Sequence, residues 1–194
     1  MEYPLSLTFR ILVVAPQFTV TDATGAPVLY VRQKAFRLKE AVTVHADASQ
    51  TRPIATITAD RIIDISATYR FEDMDGRTFG ALRRAGLRSL WRAEYSVLKQ
   101  DSAIFTINEE TVWTRVLDGF LMEIPGLNLL SGYFFHPAYR VNRPDGTTVL
   151  RMQKRPAFLE GRFTIERLAP VADDEEILAV MSLLMVVLLE RRRG

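Results

Sequence analysis

The sequence contains no cysteine. That excludes disulfides, thiolate zinc sites and cysteine nucleophiles, and it fits a reducing compartment. Histidine is scarce: His45 and His136 are far apart and neither has a motif partner. In "DMDG" (73–76) the glycine comes too early for an EF-hand loop and no later acidic ligands follow, so a hairpin turn is the better reading. "FGALRRAG" (79–86) lacks both P-loop spacing and a Lys-Ser/Thr pair. No Ser-His-Asp signature stands out. These absences leave no expected catalytic residue, metal site or cofactor, and the chain reads as non-enzymatic. Charge of one sign is also lacking: the net charge is only +2. No nucleic-acid partner is expected, and any basic surface must arise by local clustering.

What is present is an ordinary globular composition over 194 residues, with 48% hydrophobic and 25% charged residues. That length suits one sizeable core, so residues 1–194 are expected to form a single domain. The opening "MEYPLSLTFRILVVAP" has no basic n-region, and Arg10 interrupts its apolar stretch. Tyr3, Leu5, Leu7, Phe9, Ile11 and Val13 instead alternate as in a strand with one buried face.

Self-comparison reveals three copies of one unit: "FTVTDATGAPVLYVRQK", "YRFEDMDGRTFGALRRA" and "YRVNRPDGTTVLRMQKR". They align on Gly25, Gly76 and Gly146. An aromatic stands seven residues before each glycine, and apolar columns stand five before, three after and six after. The pattern is a hairpin: alternating residues, a turn that tolerates positive φ, and a returning strand. "AVTVHA", "LWRAEYSV" and "GRFTIERL" continue the units, while "RPIATITA", "RIIDIS" and "SAIFTI" lie between them. The total approaches a dozen meandering strands, which points to a mainly β antiparallel barrel or sandwich.

Two segments break the strand rhythm. Asn108, with Glu109 and Glu110 behind it, has the character of a helix start. Val112, Trp113, Val116, Leu117, Phe120, Leu121 and Ile124 follow at helical spacing before Pro125-Gly126. A helical insertion near 108–124, packed on or plugging the barrel, is therefore expected. Its acidic face argues against contact with an anionic membrane.

The second segment is "ILAVMSLLMVVLL" (177–189). As a helix it spans roughly 20 Å, whereas a bilayer core needs about 30 Å. Its charged flanks, Asp173 to Glu176 and Glu190 to Arg193, prevent extension. A short helix apolar all round must be buried on every side. A barrel of about eight strands is filled by its own side chains, but a wider one encloses space that such a helix can fill. No transmembrane span is expected.

With its three hairpin units, the stretch "ILVVAPQFTVTDATGAPVLYVRQK" and the closing apolar helix, the chain resembles the LURP-one-related proteins. These are grouped with phospholipid scramblases and tubby C-terminal domains. The resemblance implies an approximately twelve-stranded antiparallel barrel around a hydrophobic C-terminal helix. A cytoplasmic protein is expected from the absence of cysteine and of a signal-peptide pattern; because tubby domains hold phosphoinositide headgroups through Lys and Arg, the resemblance adds a peripheral position at membranes.

The basic residues cluster after the turn glycines. Arg83, Arg84, Arg88 and Arg92 in unit two and Lys154 and Arg155 in unit three are the candidate anionic-ligand site. Arginine's planar fork suits phosphate oxygens, and each cation near an anionic membrane contributes on the order of 1 kcal/mol. The expected partner is an anionic membrane lipid or another phosphorylated ligand. The alternative is a protein-interaction or structural module with the 108–136 insertion as its partner surface.

Overall fold

The computed structural model describes residues 1–10, 17–32, 41–60, 67–84, 94–110, 137–157 and 160–191. Twelve strands and one helix follow in chain order. Unit one holds β1 (Leu5–Arg10), β2 (Gln17–Thr21), β3 (Pro27–Arg32) and β4 (Val42–His45). Unit two holds β5 (Pro53–Ala59), β6 (Thr68–Glu72), β7 (Thr78–Arg84) and β8 (Glu94–Lys99). Unit three holds β9 (Ser102–Glu110), β10 (Ala138–Asn142), β11 (Thr148–Arg155) and β12 (Glu160–Arg167). The helix, α1, runs from Asp173 to Glu190. Each strand pairs antiparallel with its sequence neighbour, and β12 pairs back onto β1, closing the barrel. Closure removes the free edges on which a further strand could add.

The three central hairpins are β2–β3, β6–β7 and β10–β11. Their glycines take φ of +84°, +79° and +88°, the left-handed conformation such a turn requires. A β-bulge recurs in each hairpin, where the register shifts beside Thr21, Glu72 and Asn142. This explains why the apolar columns three and six residues after each glycine are an odd distance apart. The extra residue (Val28, Phe79 or Val149) restores inward facing to Val31, Leu82 and Met152.

These hairpins turn at one end of the barrel, where the helix also enters. Lys99 ion-pairs with Asp174 at 2.5 Å, and Arg167 donates to Glu176, itself 3% exposed. Tyr3 lies beside Glu176; burial and that carboxylate raise its phenol pKa. Four acids in the first turn complement the positive helix terminus.

From Leu178 to Leu188 every α1 residue is buried, as a filler of the lumen requires. Each such Leu, Val or Met side chain contributes about 1.5–3 kcal/mol. The one polar member, Ser182, returns its hydroxyl to the Leu178 carbonyl at 2.8 Å. Among the described residues no helix is long and apolar enough to cross a membrane. Where the helix passes β7 there is room only for glycine: a Cβ on Gly80 would stand 2.4 Å from Leu178 Cδ1 and 3.1 Å from the Leu98 carbonyl.

The expected helical insertion needs one correction. Asn108, Glu109 and Glu110 do not open a helix but extend β9, opposite Arg140, Tyr139 and Ala138 of β10. Pairing along a whole ladder outweighs a local capping preference. Residues 111–136 lie outside the described residues, as does "RIIDIS" (61–66).

Candidate functional site

Strand alternation decides where the basic residues point. On β7, Leu82 is fully buried against the core, so Arg83 stands on the outer wall, exposed, and Arg84 turns inward at the far end of the barrel. On β11, Lys154 shares the inward register of Met152 and is exposed at the rim, whereas Arg155 is on the outer wall. Neither adjacent pair therefore converges. β7 and β11 are separated by β8, β9 and β10. Arg88 and Arg92 lie outside the described residues.

Arg84 belongs to a polar cluster that closes the far end around the last helical turn. It pairs in register with Tyr95, whose hydroxyl donates to Glu190 Oε1 at 2.7 Å. Burial first, then Glu190, push the Tyr95 phenol pKa well above its ordinary value. Burial with Glu109 and Glu190 does the same for Tyr139. The Arg191 guanidinium sits over the Phe9 ring at 5.2 Å. Chemically this cluster holds the end of α1 in place.

The outer wall of unit three is cationic but compensated. Glu110 Oε1 accepts from Arg140 Nε at 2.8 Å and Arg151 Nε at 2.7 Å. The Arg151 bond is the main cause that holds the Glu110 carboxyl below the usual carboxylate range, with the Arg140 bond adding to it. Glu166 lies 3.8 Å from Arg151 and 3.9 Å from Arg155, and Arg155 Nε donates to Thr164 Oγ1 at 3.1 Å. Arg162 pairs with Glu160.

The outer wall of unit two differs. Arg70 stands six residues before its turn glycine, as Arg140 does in unit three. It is exposed and outward-facing on β6, diagonal to Arg83 across the β6–β7 ladder, since Thr68 is opposite Arg83 and Arg70 opposite Ala81. Neither Arg70 nor Arg83 has an ion-pair partner among the described residues. The acid in the position of Glu110 is Asp60, which accepts the Thr68 N–H at 2.9 Å instead. Sequence reasoning missed Arg70 because it precedes the glycine. The repeat alignment held the signal, in the matched "YRF" and "YRV".

The model of the family described as LURP-one-related matches residues 28–187. The chain belongs to that family. An X-ray structure of an Arabidopsis thaliana protein aligns with 96% of this LURP-one-related chain and 92% of its own length, at 14% identity and a TM-score of 0.48. No curated protein matches it.

In this LURP-one-related barrel, the described residues contain no group of three or more His, Asp or Glu able to hold a metal ion. What the wall offers chemically is hydrogen-bond donation by guanidinium groups fixed on rigid strands. A planar fork of that kind matches carboxylate or phosphate oxygens.

Proposed function

We propose that residues 1–194 form one non-enzymatic, tubby-like domain, cytoplasmic and peripheral to membranes. Its role is to bind an anionic phospholipid headgroup or another phosphorylated ligand through basic side chains of its wall. The observation that supports this reading is the exposed Arg83 guanidinium, which has no carboxylate partner among the described residues. A cation in that state loses little on meeting a phosphate, whereas an ion-paired one must first exchange its partner. Lys154, exposed at the rim, adds a second cation, and Arg155 a third that is only loosely held by Glu166.

Flotation with phosphatidylcholine vesicles, with and without anionic lipid, tests the proposal. The wild type floats with the anionic vesicles, and the triple variant Arg83→Glu, Lys154→Glu, Arg155→Glu does not. All three side chains sit on the outer wall or rim, so the variant keeps its fold, which circular dichroism verifies. Equal flotation of the two proteins overturns the proposal. The competing reading, a partner surface on 108–136, depends on a segment that from residue 111 lies outside the described residues.

A further inference from the structure

We infer that Arg70 and Arg83 together form one binding site for a phosphate monoester on the outer wall of unit two. The inference rests on the anion-binding reading and gives it an address. The two residues occupy diagonal positions on neighbouring antiparallel strands, where Cβ atoms lie about 7 Å apart. Two guanidinium groups from that base reach a single phosphate from two sides. Hydroxyl side chains flank Arg83 in the same outward row, Thr68 on β6 and Ser96 on β8, both its direct register partners.

Three carboxylates share this face: two are engaged by other donors, and the third, Glu94, stands diagonal to Arg83 on β8 with no ion pair between them among the described residues. Asp60 accepts the Thr68 N–H, and Glu72 accepts the Thr58 hydroxyl at 3.0 Å. They lower the net charge of the face without forming an ion pair with either arginine. Binding there depends on directional donors, about five N–H groups per guanidinium, more than on long-range attraction. A carboxylate ligand has two oxygens and a single charge; it can take two arginines, as Glu110 does, but it offers them fewer acceptor sites. A phosphate monoester presents three oxygens and carries roughly −1.5 to −2 charge at neutral pH, so it uses both arginines. The footprint spans one strand pair and is too small for a nucleic-acid backbone, which needs a run of cations along its length.

The test compares the wild type with Arg70→Gln, Arg83→Gln and Arg155→Gln. Vesicles of phosphatidylcholine with phosphatidic acid present a monoester, those with phosphatidylglycerol a diester, and soluble glycerol phosphate presents the monoester without a membrane. The expected result is preference for the monoester. A drop of about 10- to 100-fold follows for Arg70→Gln and for Arg83→Gln, and less than threefold for Arg155→Gln. Binding to phosphatidic acid vesicles beyond that to glycerol phosphate identifies a lipid source, and equal binding a soluble one; the site stands in both. Undiminished binding by Arg70→Gln and Arg83→Gln, with loss in Arg155→Gln, overturns this site and leaves the broader function intact. Equal affinity for the diester overturns the ligand class. A wild type that binds none of the three probes overturns both.

Discussion

Units two and three are copies of one four-stranded pattern, yet they use their walls in opposite ways. Arg70 and Arg140 hold the same place before the turn glycine, and Asp60 and Glu110 face corresponding residues of the next strand, Thr68 and Ala138. Glu110 has one more methylene, reaches outward and pairs with Arg140 and Arg151. Asp60 is shorter and folds back onto a backbone N–H, a local bond short acidic side chains favour. The acid is one methylene longer in unit three, and the arginines differ too: Ala81 stands where unit three has Arg151, and Gln153 where unit two has Arg83. The inner faces diverge as well. At the fourth residue after the glycine, unit three packs Leu150 and unit two has Gly80, because Leu178 of α1 occupies that space.

The largest expected effect comes from making the inner faces alike. Gly80→Leu places a side chain where the first carbon already meets Leu178, and the nearby Leu98 carbonyl cannot retreat. We expect a loss of about 3 kcal/mol or more, read from urea midpoints. The reciprocal Leu150→Ala opens a cavity in unit three and costs about 2–5 kcal/mol. If Gly80→Leu is tolerated within about 0.5 kcal/mol, the helix does not pack against β7 as described.

The outer faces can be exchanged in turn. Asp60→Glu supplies the missing methylene, lets the carboxylate reach Arg70, and weakens phosphate binding about tenfold with stability changed by under about 0.5 kcal/mol. Glu110→Gln leaves Arg140 without its carboxylate and Arg151 with only the longer contact to Glu166, costs about 1 kcal/mol, and gives the wall of unit three an anion affinity it lacked. Calorimetric titration with inorganic phosphate reads both changes. Unaltered binding in both variants shows that the acids do not set the contrast.

Much of this architecture was legible in the sequence, and for identifiable reasons. The repeat spacing around Gly25, Gly76 and Gly146 carried the hairpins because backbone conformation at a positive-φ turn depends on local residue type. The helix over 177–189 was legible from length and charged flanks alone. Asn108–Glu110 misled because a capping pattern is local and the ladder with β10 is not. The candidate site was only partly legible. Listing Arg83 with Arg84, and Lys154 with Arg155, treated sequence neighbours as spatial ones, although strand alternation sends them to opposite faces. Whether an arginine is free depends on where a carboxylate one or two strands away points. Nothing in the residue types at 60 and 110 discloses that without the register.

The smallest effect is a titration on the wall of unit three. The Glu110 carboxyl is held below its ordinary pKa, first by the Arg151 hydrogen bond and then by the Arg140 bond. A depressed folded-state pKa means the unfolded chain binds the proton more readily, so acid favours unfolding. The stabilisation from Glu110 is fully present above the unfolded carboxyl value of about 4.3 and fades as pH falls through the lower folded value. Denaturation of wild type and Glu110→Gln at a series of pH values between about 6 and 3 should therefore show their stability difference narrowing in the acid range. Repeating the comparison in an Arg151→Gln background removes the first of those bonds, and the stability difference should then change less over the same interval. An unaltered pH dependence in that background shows that Arg151 is not what holds the Glu110 proton off.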